Sequence, residues 1–261
     1  MCTPPNYCSY CLRRLQAVAM KHNDVDRANQ LTSMIAEREN LQERPTPSKF
    51  RIDISNLSGK IAVDIDDTLS SFEADMRQAL AKTHGLSFKE ALERYPSNPP
   101  EGIASWFGGG PDGEKASYKA YQEMEAAGLL YSHQPMREGA ADTVNWLYKE
   151  TNGNLVFLTA RPEPFKRVSS WWLQKRLGVS FTPDVRHSHK KSEVEDFALL
   201  IDDSVPHVKE VTAPDAPFGP RPTIFMTRPR TAGKVEETAL TPHAWSWRDV
   251  RRILTVSTEK E

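Results

Sequence analysis

The stretch Lys60-Ile61-Ala62-Val63-Asp64-Ile65-Asp66-Asp67-Thr68-Leu69 constrains this chain most, because a short apolar run stops abruptly at carboxylates spaced D-x-D, with a threonine close behind. A brief apolar run bounded by turn formers reads as a buried strand. A strand ending here delivers Asp64 and Asp66 together at its C-terminal end, one side chain to attack and the other, two residues on, to handle a proton. Alone, the pattern is equally an acidic turn. Two later runs add weight: Asn154-Leu155-Val156-Phe157-Leu158-Thr159 ends in a hydroxyl, and Phe197-Ala198-Leu199-Leu200-Ile201-Asp202-Asp203 ends in paired acids, with the basic pair Lys190-Lys191 between them. Such runs alternate with helical patterns as a parallel α/β sheet requires. In open sheets of that kind the strand C-termini share one crevice, so acids on three strands can converge.

A chain of 261 residues with 38% hydrophobic content buries one substantial core and leaves room for an insertion or an appended segment. Its 34 basic and 35 acidic residues give no global drive toward nucleic acid or membrane, so a polyanionic substrate must be caught locally. No apolar stretch approaches a membrane span, and the start Met1-Cys2-Thr3-Pro4-Pro5-Asn6-Tyr7 lacks the pattern of a signal peptide, so the expected compartment is cytoplasmic. Cys2, Cys8 and Cys11 are the only cysteines and cannot build a disulfide framework for the body of the chain. Cys8 and Cys11 form a CxxC knuckle that Cys2 and His22 would complete as a zinc site; the plain alternative is two thiols at a helix start.

Residues 9–41 carry apolar positions at helical spacing, interrupted by Asn23-Asp24 in the manner of an N-cap, which predicts a helical hairpin. Pro45 and Pro47 then mark a linker. The expected organisation is a hairpin with linker over 1–45 and a catalytic domain over 50–261. Between the first strand and a helix at 140–149 lie more residues than a single crossover needs, so 71–133 reads as a small helical cap. Strands are expected at 154–158, 185–186, 197–201 and 223–226, and helices at 115–127, 164–177 and 247–255.

Asp64 is the candidate nucleophile, since a carboxylate attacking phosphorus would make an aspartyl-phosphate, and Asp66 would be the acid/base that protonates the leaving alcohol and activates water. Several carboxylates repel each other and a phosphate dianion, so the site demands a hard divalent cation, Mg2+. The order Asp, Thr, Lys, Asp-Asp resembles the haloacid dehalogenase (HAD) superfamily, a Mg-dependent group mostly made of phosphatases. The resemblance implies a HAD-like Rossmannoid parallel sheet with a small helical cap after the first strand, beside the N-terminal hairpin. It further implies that Mg2+ is held by Asp64, the carbonyl of Asp66 and Asp203, with Asp202 adjoining. Thr159 would bind a phosphoryl oxygen with Thr68, Ala160 and Arg161 nearby. A lysine would neutralise developing charge, Lys191 being favoured because Ser192 follows it and Lys190 remaining the alternative.

Within that superfamily residues 60–255 are similar to the 5'(3')-deoxyribonucleotidase family, which dephosphorylates nucleoside monophosphates. Phe72 lies where that family contacts the base; Glu125-Ala126-Ala127-Gly128-Leu129-Leu130 with Pro135 and Gly139-Ala140, Trp171-Trp172-Leu173, Leu177-Gly178 and Trp245-Ser246-Trp247 also fit. The implied partner is a small nucleotide, with no membrane. Phe72, Trp106 and Phe107 would either stack on a base or pack the cap. Two departures stand out: Asp67 takes a position that is commonly glycine, and Thr159-Ala160-Arg161-Pro162 replaces threonine-serine-proline. The second is similar to the phosphatase domain of phage-type polynucleotide kinases, which makes a 3'-phosphatase acting on nucleic-acid ends the alternative. A partner-binding protein with a vestigial phosphatase domain is a third reading.

Overall fold

A computed structural model describes residues 9–22, 24, 27–32, 34–35, 48–97, 99, 102–178 and 182–256. Its strands are β1 (Ile52–Asp53), β2 (Lys60–Val63), β3 (Leu155–Thr159), β4 (Val185–His187), β5 (Phe197–Asp202), β6 (Thr223–Met226), β7 (His243–Ala244) and β8 (Leu254–Thr255). Six of them form one parallel sheet in the order β4-β3-β2-β5-β6-β7. The α/β class and the parallel Rossmannoid sheet read from the sequence are therefore present. Ile61, Ala62 and Val63 face Leu155, Val156 and Phe157 on one side and Leu199, Leu200 and Ile201 on the other, and all nine are buried. This is why the central strands read as unbroken apolar runs. Chain order proceeds one way from β2 through β3 to β4 and the other way from β5 to β7, so the reversal falls between β2 and β5. In open α/β sheets a ligand crevice lies beyond the strand C-termini at such a reversal.

The helices are α1 (Ser9–Lys21), α2 (Phe72–His84), α3 (Phe88–Arg94), α4 (Gly110–Ala126), α5 (Ala140–Glu150), α6 (Lys166–Leu177), α7 (Val205–Thr212) and α8 (Trp247–Ile253). Ser71 caps α2 by accepting from the Ala74 N–H, and Ser87 with Glu90 forms a full capping box on α3. Helix α4 starts five residues before the expected Lys115, since Pro111 sits in its first turn, where a missing N–H costs nothing. The expected helix 247–255 ends at Ile253, and Leu254–Thr255 instead pair in parallel with Ile52–Asp53. Neighbouring β-branched residues favour that extended ending.

The chain divides into two compact units, one of Met1–Glu43 with Ser71–Met136 and one of Arg44–Ser70 with Arg137–Glu261. In the first, Leu12, Ala19, Ala28, Leu31 and Ile35 form an apolar cluster onto which Phe88 of α3 packs, and Asn29 Nδ2 donates to Gln78 Oε1 of α2 at 3.1 Å. The N-terminal segment thus folds together with the helices inserted after β2. Asp24 accepts from the Arg27 N–H at 3.1 Å, the expected cap of the second helical stretch. The zinc expectation falls on Cys2 and Cys8 and on the Cys11 side chain, which lie outside the described residues, whereas His22 is exposed. Among the described residues no helix is long and apolar enough to cross a membrane.

In the second unit Trp247 is buried, and its indole N–H donates to the Thr68 carbonyl at 3.0 Å, tying α8 to the turn after β2. Trp247→Ala should cost about 3–5 kcal/mol of stability through the cavity it leaves. Trp247→Phe should cost about 1–3 kcal/mol, chiefly from the unsatisfied carbonyl. Denaturant unfolding measures both, and a loss below about 1 kcal/mol for either variant would contradict this packing.

Candidate active site

Asp64 follows β2 directly, and its N–H donates to the Ile201 carbonyl at 3.0 Å, extending the β2–β5 ladder by one residue. That brings the Asp64 carboxylate level with the acids at the end of β5. Between them lies a fully buried ammonium: Lys191 Nζ is 2.5 Å from Asp64 Oδ1 and 2.6 Å from Asp202 Oδ2. Lys191 begins a 3-10 helix whose backbone is anchored by Glu210, which accepts the Lys191 N–H at 2.8 Å, and by Arg221, which donates to the Ser192 carbonyl at 2.9 Å. Lys190 points elsewhere; its side chain is 70% exposed and pairs with Glu193 at 2.9 Å.

Asp202 also accepts from the Ser204 N–H at 2.7 Å and meets His207 Nδ1 at 3.2 Å. Asp203 accepts from Thr68 Oγ1 at 3.1 Å and lies 4.0 Å from Arg230. Carboxylate oxygens of Asp64, Asp202 and Asp203 all lie within 4.8 Å of one another, a group able to hold a metal ion. Thr159 is fully buried at the end of β3, and its hydroxyl oxygen accepts the Arg161 N–H at 3.2 Å, with half-buried Ala160 between them.

Arg161 grips Asp66 with two parallel bonds of 2.7 and 2.8 Å and reaches Ser169 Oγ at 3.0 Å. The guanidinium thereby orients the Asp66 carboxylate, two residues along from Asp64. His187 Nδ1 donates to the Arg161 carbonyl at 2.6 Å and steadies the same loop. Phe72 and Trp106 belong to the first unit. Phe72 is half-buried and edge-on to Tyr121 at 5.8 Å, while Trp106 donates to the Pro96 carbonyl at 2.9 Å and packs on Tyr95 at 5.4 Å. Phe107 is half-buried in the 3-10 helix Gly102–Phe107 of that unit.

Several residues of this cluster escaped the sequence reading: Arg137, Arg228, Arg230 and His207. Arg228 and Arg230 follow the expected strand 223–226 at once, so their place at its C-terminal end was an available signal. Arg137 follows the insertion and His207 lies inside α7, and neither stands in a recognisable pattern.

Burial pushes the Asp64 carboxyl well above the usual range, with Asp202, Asp203 and Asp66 adding to the rise and Lys191 opposing it. Burial, Asp67 and Asp202 push Asp203 up to about 6 against Arg228 and Arg230. Burial would raise Asp202 as well, but Lys191 and His207 reverse this and hold it below the ordinary carboxylate value. Burial alone would lower Lys191, yet Asp202 and Asp64 raise it above the ordinary lysine value. Around the strand ends five acids, Asp64, Asp66, Asp67, Asp202 and Asp203, stand among five cations, Lys191, Arg161, Arg137, Arg228 and Arg230, with Lys191 shared by Asp64 and Asp202 and three of the arginines gathered on Asp67. The side chains alone therefore offer a phosphate dianion little attraction, and two acids resist ionisation. An all-oxygen carboxylate set with that deficit suits a hard divalent ion such as Mg2+.

No protein-family model matches the chain, and no curated protein does. Among solved structures, a HAD-hydrolase of Bacillus subtilis, YfnB, bound to magnesium is similar at 16% identity and a TM-score of 0.43, over 78% of this chain and 99% of that one. A family IA, variant 3 HAD hydrolase of Entamoeba histolytica gives 11% and 0.42, over 73% and 94%. A subfamily IA, variant 1 HAD-superfamily hydrolase of Geobacter sulfurreducens gives 17% and 0.38, over 77% and 99%. These TM-scores lie below 0.5, and the reading of the site rests on the chain's own residues.

Asp202 and Asp203 should separate in their effects. Asp202→Ala strands the buried Lys191 charge and should cost about 3–5 kcal/mol in denaturant unfolding. Asp203→Asn should unfold close to the unsubstituted protein but bind Mg2+ at least about 10-fold more weakly in titration calorimetry, a ligand charge being lost. Equal metal affinity in Asp203→Asn and the unsubstituted chain would remove Asp203 from the metal group.

Proposed function

We propose that this chain is a Mg2+-dependent phosphomonoester hydrolase that works through an aspartyl-phosphate and acts on nucleoside monophosphates. The observation that carries the reaction type is the buried Asp64 at the β2 end, 2.5 Å from Lys191 Nζ and grouped with Asp202 and Asp203. A carboxylate there attacks phosphorus, forms the acyl phosphate and releases the alcohol, splitting one hard displacement into two easier ones. Asp66, held by Arg161 two residues along the same turn, gives a proton to the leaving oxygen and later takes one from the attacking water. Lys191 offsets the charge that the phosphoryl group brings to Asp64, and the Thr159 hydroxyl donates to a phosphoryl oxygen. A divalent ion bound by Asp64 and Asp203, with Asp202 adjoining, would supply Lewis-acid withdrawal of charge from the phosphoryl oxygens.

Support for a nucleotide substrate comes from the resemblance around Phe72, Glu125–Leu130 and Trp245–Trp247. The inserted unit also carries a run of rings, Phe72, Tyr121 and Tyr118, of the kind that stacks on a base. A near-equal count of acids and bases gives no global attraction toward the backbone charge of a polymer.

A phosphate-release screen over nucleoside monophosphates, sugar phosphates, 3'-phosphorylated oligonucleotides and p-nitrophenyl phosphate tests this. Release should require Mg2+ and stop with a chelator, and nucleoside monophosphates should turn over best. Asp64→Asn should abolish turnover, and Asp66→Asn should cost about 100-fold to 10,000-fold. Lys191→Met should be severely impaired and Lys190→Met unaffected. Phe72→Ala should raise KM for nucleotides while sparing the aryl phosphate. Fastest turnover of an oligonucleotide 3'-phosphate would replace the nucleotide reading with end processing, and full activity of Asp64→Asn would end the mechanism.

A further inference from the structure

Asp67 adopts φ 59°, the left-handed region that an L-residue enters at a steric cost and that glycine enters freely. A carboxylate at such a position needs a return for that strain, and its surroundings name it. Asp67 Oδ1 takes Arg137 at 3.2 Å, and Oδ2 takes Arg230 at 3.0 Å. Its carbonyl accepts from Arg137 Nε at 2.9 Å and from an Arg228 N–H. Both ends of one residue are thus held by three guanidinium groups from two separate segments. Burial opposes its ionisation, but Arg230, Arg137 and Arg228 more than reverse this and keep it a carboxylate.

The grip extends along the turn. Arg137 Nε also donates to the Ser70 carbonyl at 3.1 Å, and the Arg137 N–H to the Leu69 carbonyl at 2.8 Å. Leu69 and Ser70 both donate back to the Ile65 carbonyl, which closes the turn that carries Asp66, Asp67 and Thr68. Thr68 in turn holds Asp203, 4.0 Å from Arg230. Arg230 therefore stands between two carboxylates, and Asp67 is the nearer.

We propose that Asp67 is a positioning residue: its clasp by Arg137, Arg228 and Arg230 fixes the turn after β2, so that Asp66 and Thr68 stay in register with Asp64, and keeps Arg230 off Asp203. This rests on the reading of Asp64 and Asp66 as the reacting pair. Removing the carboxylate lets the turn relax and lets Arg230 move to Asp203, withdrawing a charge from the acid group. A shift of the acid/base by about 1 Å is enough to cost on the order of 100-fold in turnover.

The test compares Asp67→Gly, Asp67→Asn and Arg230→Gln in the full chain with p-nitrophenyl phosphate, measuring kcat, KM, Tm and the Mg2+ concentration for half-activation. Asp67→Gly frees the backbone and removes only the carboxylate. We expect its kcat to fall about 100-fold with KM within about threefold, while Tm stays near that of the unsubstituted protein. Asp67→Asn and Arg230→Gln should each lower kcat, and the double variant should be no worse than the worse single, because both break one contact. Wild-type kcat in Asp67→Gly, or additive losses in the double variant, would overturn the clasp. Should Asp67→Gly fail to fold, the Asp67→Asn and Arg230→Gln cycle decides alone. If the unsubstituted chain releases no phosphate, or Asp64→Asn stays active, the functional reading falls and takes the clasp with it; an active, Asp64-dependent protein with an indifferent Asp67 overturns the clasp only.

Discussion

The buried Lys191 ammonium between Asp64 and Asp202 is the interaction on which the rest of the site depends. An ion of that kind taken out of water unpaired is costly by several kcal/mol, so the fold must bring two carboxylates to it or lose it. The parallel ladder meets this demand. Asp64 continues β2 and Asp202 closes β5, and because β2 and β5 are neighbours the two acids arrive side by side. The lysine is carried on a single 3-10 turn whose backbone is held by Glu210 and Arg221. A strand pair cannot shift register by one residue without moving an acid to the wrong face.

The pairing also divides the acids by role. Asp202 is held as a carboxylate by Lys191, His207 and the Ser204 N–H, which leaves Asp203 and Asp64 as the two whose ionisation burial resists. A structural counter-ion and two charge-deficient acids in one cluster are what a site for an added cation needs. A pair of neighbouring aspartates in the sequence carries no hint of which is which. The difference arises because successive residues at a strand end point to opposite sides, so that one meets the lysine and the next meets Thr68.

Much of this was legible from residues alone, and for physical reasons. Central strands of a parallel sheet are apolar on both faces, so β2, β3 and β5 appear as runs, and the polar residue that ends each run marks the crevice. Asp64, Asp66, Thr159, Asp202 and Asp203 were therefore visible. Lys191 was favoured only through the resemblance, by the Ser192 that follows it, and Lys190 stayed open, since adjacent lysines differ only in the direction a short 3-10 turn gives them. Arg137 was invisible because nothing marks a lone arginine just past an insertion. The joining of residues 9–35 with α2 and α3 was equally hidden, because a proline-bearing linker looks like a boundary whether or not the apolar stripe of the hairpin finds Phe88 beyond it.

Arg161 shows how the acids are kept apart as well as brought together. Asp64 and Asp66 stand two residues apart in one turn, and their mutual repulsion is one of the causes that raise Asp64. A bidentate guanidinium fixes the plane of the Asp66 carboxylate, and Arg161 is itself held by Ser169 and its own buried stem. Asp67 faces the other way toward Arg137 and Arg230, so three acids within four residues each have a separate cationic partner: Lys191, Arg161 and the arginine clasp. Without that partition the D-x-D-D turn would carry three unscreened charges beside a low-dielectric strand end and would open toward water. With it, the turn is closed and each of its acids is paired, and the acid group is short of positive charge where Asp64 and Asp203 leave oxygens for a cation to bind.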